Sequence, residues 1–149
     1  MDEILQLTAK LAKPFEGLFL KAYHDPVGYP TQGYGRLLSR VPWEPLSKYP
    51  DIALETAEQW LVEDLRKAVR ATIRLCPGAE TPQQVAAIAD FTFNCGAGNL
   101  EISTLRRKVN RKDFDGASEE FLRWVYARGI KLPGLVRRRK AERDLFLHK

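Results

Sequence analysis

The 149-residue chain has little of what several protein classes need. Cysteine occurs twice, as Cys76 and Cys95, too few for a disulfide framework and at a spacing that fits no metal pattern. Histidine also occurs twice, as His24 and His148, so the two pairs do not assemble a zinc site. Two free thiols, no metal and no cofactor are expected. No apolar run approaches the ~18 residues that cross a bilayer. The opening "MDEILQLTAK" is acidic and lacks a basic start followed by an apolar stretch, so no secretory signal is expected, and synthesis in a cytoplasm is. Low-complexity segments, flexible linkers and internal repeats are missing too. What is present, 44% hydrophobic residues, is enough for one ordinary core in a single domain of residues 1–149.

Charge is unevenly placed. Residues 1–130 carry 17 basic and 17 acidic side chains, so the net +5 sits in the last 19 residues. There Lys131, Arg137, Arg138, Arg139, Lys140, Arg143 and Lys149 face only Glu142 and Asp144. A basic C-terminal helix points to an anionic envelope surface as a partner. Phe146 is the one aromatic residue in that basic stretch, so base stacking has no platform and no nucleic-acid partner is expected.

The pattern predicts a mostly helical α+β protein. Asp2 caps a first helix with Ile4, Leu7 and Leu11 on one side, and Pro14 stops it. Residues 41–50 read as a loop. Thr56 and Gln59 form a capping box for a long helix whose inner side is Leu61, Leu65, Ala68 and Thr72, closed by "CPG" at 76–78. Thr81 and Gln84 form a second box, with Pro82 at the first helical position, and open a helix apolar nearly all round that Gly96 and Gly98 end. Shorter helices are predicted near 103–110 and 114–128, the latter with Phe114, Ala117, Phe121 and Trp124 inward. A basic helix from Pro133 to Leu147 finishes the chain.

Between the first helix and the loop lies "PFEGLFLKAYHDPVGYPTQGYG", residues 14–35. "DPVG" at 25–28 suits a type I turn, with Asp first, Pro second and Gly fourth, and the flanks read as a small β-hairpin. Such a hairpin rarely needs an acid at its entrance, Glu16, an acid at its tip, Asp25, and a hydroxyl on its return strand, Thr31. Taken singly, each has an ordinary structural explanation. Together they suit cleavage of a glycosidic bond, which uses two carboxylates in unlike surroundings. Glu16, beside Phe15 and Leu18, is the candidate for the protonated acid. Asp25, in a solvated turn, is the candidate for the ionised partner, with Thr31 holding a water against it. That water needs room, so an inverting reaction and a long Glu16–Asp25 separation are expected.

Glu16, Ala22–Tyr23, Asp25, Gly28, Thr31, Gly33 and Gly35 together resemble the catalytic segment of phage-type lysozymes, the endolysins of glycoside hydrolase family 24. The 9- and 6-residue gaps match that family's Glu–Asp–Thr triad. "FTFNCGAGNLEISTLRRKVN" and "FLRWVYARGIKLPGLVRRRKAERDLF" are similar to its later motifs, so the likeness covers nearly the whole chain. One departure is Arg36, where many relatives carry His.

The resemblance implies a lysozyme-like fold. A small hairpin lobe (roughly 14–55) and a larger helical lobe (56–149, with the N-terminal helix 2–13) would be joined by the long helix and separated by a cleft. It implies hydrolysis of the β-1,4 bond between N-acetylmuramic acid and N-acetylglucosamine in peptidoglycan by a monomer. Glu16, Asp25 and Thr31 would be catalytic, with Gly35 and Asn94 binding substrate. One of Arg138 and Arg139 would pair with Glu16, against the alternative of a solvated basic face; for Asn94 the alternative is a helix C-cap. The family further implies synthesis in the host cytoplasm and action in the periplasm after holin-type release. The alternatives are a lytic transglycosylase, which needs neither Asp25 nor Thr31, and a non-catalytic module binding anionic surfaces.

Overall fold

The structure is a computed structural model that describes residues 1–148; Lys149 of the basic tail lies outside the described residues. The chain forms two compact units, one of Met1–Phe15 together with the chain from Leu65 onward, the other of Glu16–Asp64. Among the described residues no helix is long and apolar enough to cross a membrane.

The first unit is helical. Helix α1 spans Asp2–Ala12, with Met1 rather than Asp2 at the cap position. Asp2 and Glu3 instead occupy the first turn, where the exposed N–H groups favour negative charge. Its buried residues are Leu5, Thr8 and Ala12, one position on from the expected stripe, whose members Ile4, Leu7 and Leu11 are half-buried. A 3-10 turn, Lys13–Phe15, carries the chain past Pro14.

Helix α2 spans Leu54–Leu75 and supplies residues to both units. It starts two residues before the expected capping box: the Ala53 carbonyl already accepts the N–H groups of Thr56 and Ala57, so Thr56 lies within the helix. Leu61, Leu65, Ala68 and Thr72 are buried, as their spacing predicts. Helix α3, Pro82–Cys95, opens as predicted. The Thr81 hydroxyl accepts the Gln84 N–H at 3.1 Å, and the Gln84 amide oxygen accepts the Thr81 N–H at 3.3 Å. Ala86 through Thr92 are buried without a break, which is why this helix shows no polar face.

Gly96 ends α3 at φ +96°, but Gly98 lies inside a further helix, α4, Ala97–Ile102. Helix α5 spans Thr104–Asn110 and α6 Phe114–Glu120. The predicted helix to 128 therefore stops early. After a 3-10 turn, β4 (Tyr126–Ala127) and β5 (Ile130–Lys131) pair as a second small hairpin. Arg128 and Gly129 sit between them at φ +52° and +78°, the left-handed pair that tight hairpin turns require. Helix α7, Pro133–Phe146, closes the chain. The core of this unit gathers Phe91, Phe121 and Phe146 in edge-on contacts with Leu100, Leu105 and Val109 around them. Each such burial contributes roughly 1.5–3 kcal/mol.

Helix α7 is not a solvated basic face. Arg138 and Arg139 are buried, and α7 packs against α3 through them: Arg138 grips Asp90 with Nε to Oδ2 at 2.9 Å and Nη2 to Oδ1 at 2.8 Å. Arg139 donates to Glu142 at 2.9 Å and lies over the Phe91 ring. Its Nε and Glu142 Oε1, 2.7 Å apart, are poorly aligned for a hydrogen bond, so that contact is electrostatic. Polar spacing on a surface helix and polar spacing on a paired, buried one look alike in sequence.

Candidate active site

The second unit holds a three-stranded antiparallel sheet: β1 Phe19–His24, β2 Pro30–Gly33 and β3 Arg36–Leu37, in that order. The β1–β2 connection is the predicted turn, closed by the Gly28 N–H on the Asp25 carbonyl at 2.8 Å. Asp25 also grips the turn with its side chain. Its Oδ1 accepts the N–H groups of Val27 and Tyr29, each at 2.9 Å. One carboxylate oxygen is thus committed to the backbone, and the other is not needed there.

Ladder register decides which side chains meet. Tyr23 stands opposite Thr31 and Phe19 opposite Gly33, so β1 carries two extra residues between those pairs. The bulge sharpens the local twist. Thr31 is 5% exposed, and its hydroxyl donates to the Tyr29 carbonyl at 2.9 Å. That carbonyl also accepts the Asp25 N–H at 3.0 Å, so Thr31 and Asp25 hang from one acceptor.

Glu16 sits half-buried at the bend before β1. Leu18, expected to shield it, is 40% exposed and does not. The β2–β3 turn, Tyr34–Gly35, comes up against Glu16 instead: a Cβ on Gly35 would stand 3.2 Å from Glu16 Oε2, and Gly35 has φ +79°. Gly35 is therefore placed by shape, leaving backbone beside a carboxylate. The Tyr23 phenol is pushed above its ordinary pKa by burial first, then by the charges of Glu16 and Asp25.

The sheet is braced against the start of α2. Arg36 lies over the Trp60 ring at 4.9 Å and pairs with Glu63 at 3.3 Å and Asp64 at 3.6 Å, so the Arg that replaces His has acidic partners. Tyr34 donates to Glu58 at 3.0 Å. The buried Gln32 amide donates to the carbonyls of Leu20 and Pro50, stitching β1 to the loop before α2.

Glu16, Asp25, Thr31 and Gly35 thus share the sheet unit, whereas Asn94 belongs to the helical unit. Asn94 does not cap α3, which Gly96 does; its side-chain oxygen accepts from Arg139 at 2.8 Å. Sequence reasoning missed Tyr23 and Gln32 as site-building residues. The signal was available for Tyr23, which lies in β1 two positions before Asp25, where that strand runs into the turn. Both cysteines are free. Burial pushes the Cys76 thiol up to about 11, so it is an inert core residue. Among the described residues no three His, Cys, Asp or Glu side chains gather as a metal site needs.

A helical unit around one buried helix, with a small antiparallel sheet unit carrying two acids and a hydroxyl, is a lysozyme-like fold. The muramidase domain of SpmX from Asticaccaulis excentricus superposes with a TM-score of 0.82 at 30% identity, over 95% of each chain. Residues 13–142 match the phage lysozyme family, and the chain belongs to it. It is 37% identical over 140 residues to an endolysin of Acyrthosiphon pisum secondary endosymbiont phage 1, covering 91% of this chain and 92% of that one. To the endolysin of Bacillus phage B103 it is 38% identical over 147 residues, which is 97% of this chain and 54% of that protein. The chain thus spans about half the length of the B103 relative.

Proposed function

We infer that this chain is a lysozyme that hydrolyses the β-1,4 bond between N-acetylmuramic acid and N-acetylglucosamine in peptidoglycan. The observation that carries the reading is the Tyr29 carbonyl shared by the Asp25 N–H and the Thr31 hydroxyl, in the same sheet unit whose Gly35 turn comes up against Glu16. Membership of the phage lysozyme family supports the reaction class. Glu16 donates a proton to the glycosidic oxygen as the bond from the sugar C1 to that oxygen breaks. A water attacks C1 from the opposite face and passes a proton to Asp25. One water is consumed, and the new reducing end is inverted.

Hydrogen bonding at Thr31 supports its part. Its only proton is given to the Tyr29 carbonyl, so towards a water the hydroxyl offers lone pairs alone. A water between Asp25 and Thr31 therefore donates both protons to them and turns a lone pair outward. That is the orientation nucleophilic attack requires. Gly35 supplies close, side-chain-free backbone beside Glu16 for the leaving sugar.

The enzyme acts on the cell wall, as phage endolysins do. It is made in the host cytoplasm and reaches the periplasm through a holin-type lesion. The monomer is the working form, and the exposed cations Lys131, Arg137 and Lys140 give a weak hold on an anionic envelope. A turbidity assay on outer-membrane-stripped Gram-negative cells, parent beside Glu16→Gln, tests the function. Lysis should fall ~10²–10⁴-fold with an unchanged melting curve, the usual loss for a general acid. Near-parental lysis by the folded variant would falsify the assignment.

A further inference from the structure

We propose that Trp43 is a positioning residue that clamps the Asp25 turn, an inference that rests on the roles assigned above. Its backbone N–H donates to the Gly28 carbonyl at 2.8 Å, at the far end of the turn. Its indole lies directly on Gly28: a Cβ there would come within 2.6 Å of Cε2 and 2.8 Å of Cδ2 and Nε1. Only glycine admits that contact, and Gly28 has φ +98°. The near end of the turn is held by the same loop. The His24 ring, one residue before Asp25, stands edge-on to the indole at 5.2 Å, and its Nε2 donates to the Glu44 carbonyl at 2.7 Å. Glu44 is fixed in turn by Lys48 and by the Tyr49 hydroxyl.

The cost of this arrangement argues for its purpose. Trp43 has φ +60°, a left-handed conformation that a bulky residue keeps only where its surroundings impose it. Burial does not compensate, because the residue is 65% exposed. The bonds of Asp25 tie its carboxylate to Val27 and Tyr29, and its N–H to the Tyr29 carbonyl that Thr31 shares, but all of these lie within the hairpin. Trp43 supplies a constraint from outside it, at Gly28. Without it the hairpin keeps its own hydrogen bonds while the Gly28 side of the turn rocks, carrying the Asp25 carboxylate off the water that it shares with Thr31.

Steady-state kinetics on a soluble peptidoglycan oligosaccharide, with Trp43→Gly, test this. Glycine relieves the strained φ while removing the indole. The expected result is a kcat loss of about tenfold to a hundredfold, the scale of a small misplacement at a reacting centre. KM should stay within about twofold, since uniform binding is untouched. The melting temperature should not fall, and Trp43→Phe should recover part of the loss. In an Asp25→Asn background, Trp43→Gly should change the residual rate less than about twofold, because coupled residues are non-additive. Unchanged kcat, an equal loss in the Asp25→Asn background, or a kcat loss matched by a lower melting temperature would overturn the clamp. So would a rise in KM alone, which would mark the indole as a sugar-stacking surface. Glu16→Gln run alongside separates the two failures. If that variant is inactive while Trp43→Gly is not, only the clamp falls; if it is active, the assigned roles fall first.

Discussion

Replacing Thr31 with valine separates catalysis from folding, because the structure sets the two costs far apart. Thr31 is 5% exposed, and its hydroxyl makes one hydrogen bond, to the Tyr29 carbonyl at 2.9 Å. A buried acceptor left unpaired costs ~1–3 kcal/mol, but this carbonyl keeps the Asp25 N–H at 3.0 Å. The stability cost is therefore that of one ordinary hydrogen bond, about 1 kcal/mol or less. At this chain length that lowers the melting temperature by about 2–4 °C. The catalytic cost is of another order. Valine offers the water no lone pair, so only Asp25 holds it, and a misaimed nucleophile costs roughly 10²-fold. Calorimetry and the oligosaccharide assay, run on one preparation, check both numbers. Activity within tenfold of the parent would refute the water-holding role. A melting temperature lowered by some 10 °C would show that Thr31 is chiefly structural.

Product analysis should show the α-anomer first, since inversion puts the water on the face opposite the leaving group; an initial β-anomer, or a covalent glycosyl adduct on Asp25, would overturn it. Mass spectrometry should find hydrated reducing ends, and products lighter by one water would mean a transglycosylase instead. Asp90→Asn should destabilise by ~3–5 kcal/mol, because it leaves Arg138 buried without its bidentate partner. Burial works to raise the Asp90 pKa, but hydrogen bonds with Glu142 and Arg138 and the charges of Arg138 and Arg139 hold it below the ordinary value. Its contribution is thus full above the unfolded value and lost as pH falls through the depressed folded one, so the parent–variant gap should shrink only in acid. A gap that stays constant into strong acid refutes that. Glu142, raised by burial and by Asp90, acts with the opposite sign: its contribution is full below the ordinary Glu value and fades as pH rises through the folded one. Lys131, Arg137 and Lys140 changed together to Gln should weaken binding to anionic cells and flatten its salt dependence, with little effect on the oligosaccharide; equal losses on both would make these residues structural.

Much of this was legible in sequence where local rules act alone. "DPVG" specifies its turn through three residues whose preferences agree, and Thr81-Pro-Gln-Gln specifies a helix start the same way. Thr56 misled because an equally good box two residues inside a helix is idle once the Ala53 carbonyl has begun the ladder. Tyr126–Lys131 was hidden because its turn places Arg128, not asparagine or aspartate, in a left-handed conformation. Glu16, Asp25 and Thr31, the proposed catalytic residues, were singled out by their chemistry. What joins them, the bulge that sets Tyr23 against Thr31, depends on ladder register and has no local signature.

Charge misled most, and for a reason that bears on function. Counted along the chain, the C-terminal segment is a cationic patch. In the structure Arg138 and Arg139 are buried against Asp90 and Glu142, and Arg143 pairs with Asp144 at 3.1 Å. Set against buried carboxyl groups, the two arginines add little to the external field, yet a buried charge left unmatched weakens the interface of α3 and α7. Such a cluster is retained at a cost in desolvation, so its use must be positional. It fixes the register of α7 on α3 and, through Arg139, the side chain of Asn94 at 2.8 Å. An apolar replacement of the four charges could match the stability but would leave Asn94 without the donor that orients it. The orientation of the Asn94 side chain is therefore inherited from charges that a count along the sequence assigns to the surface.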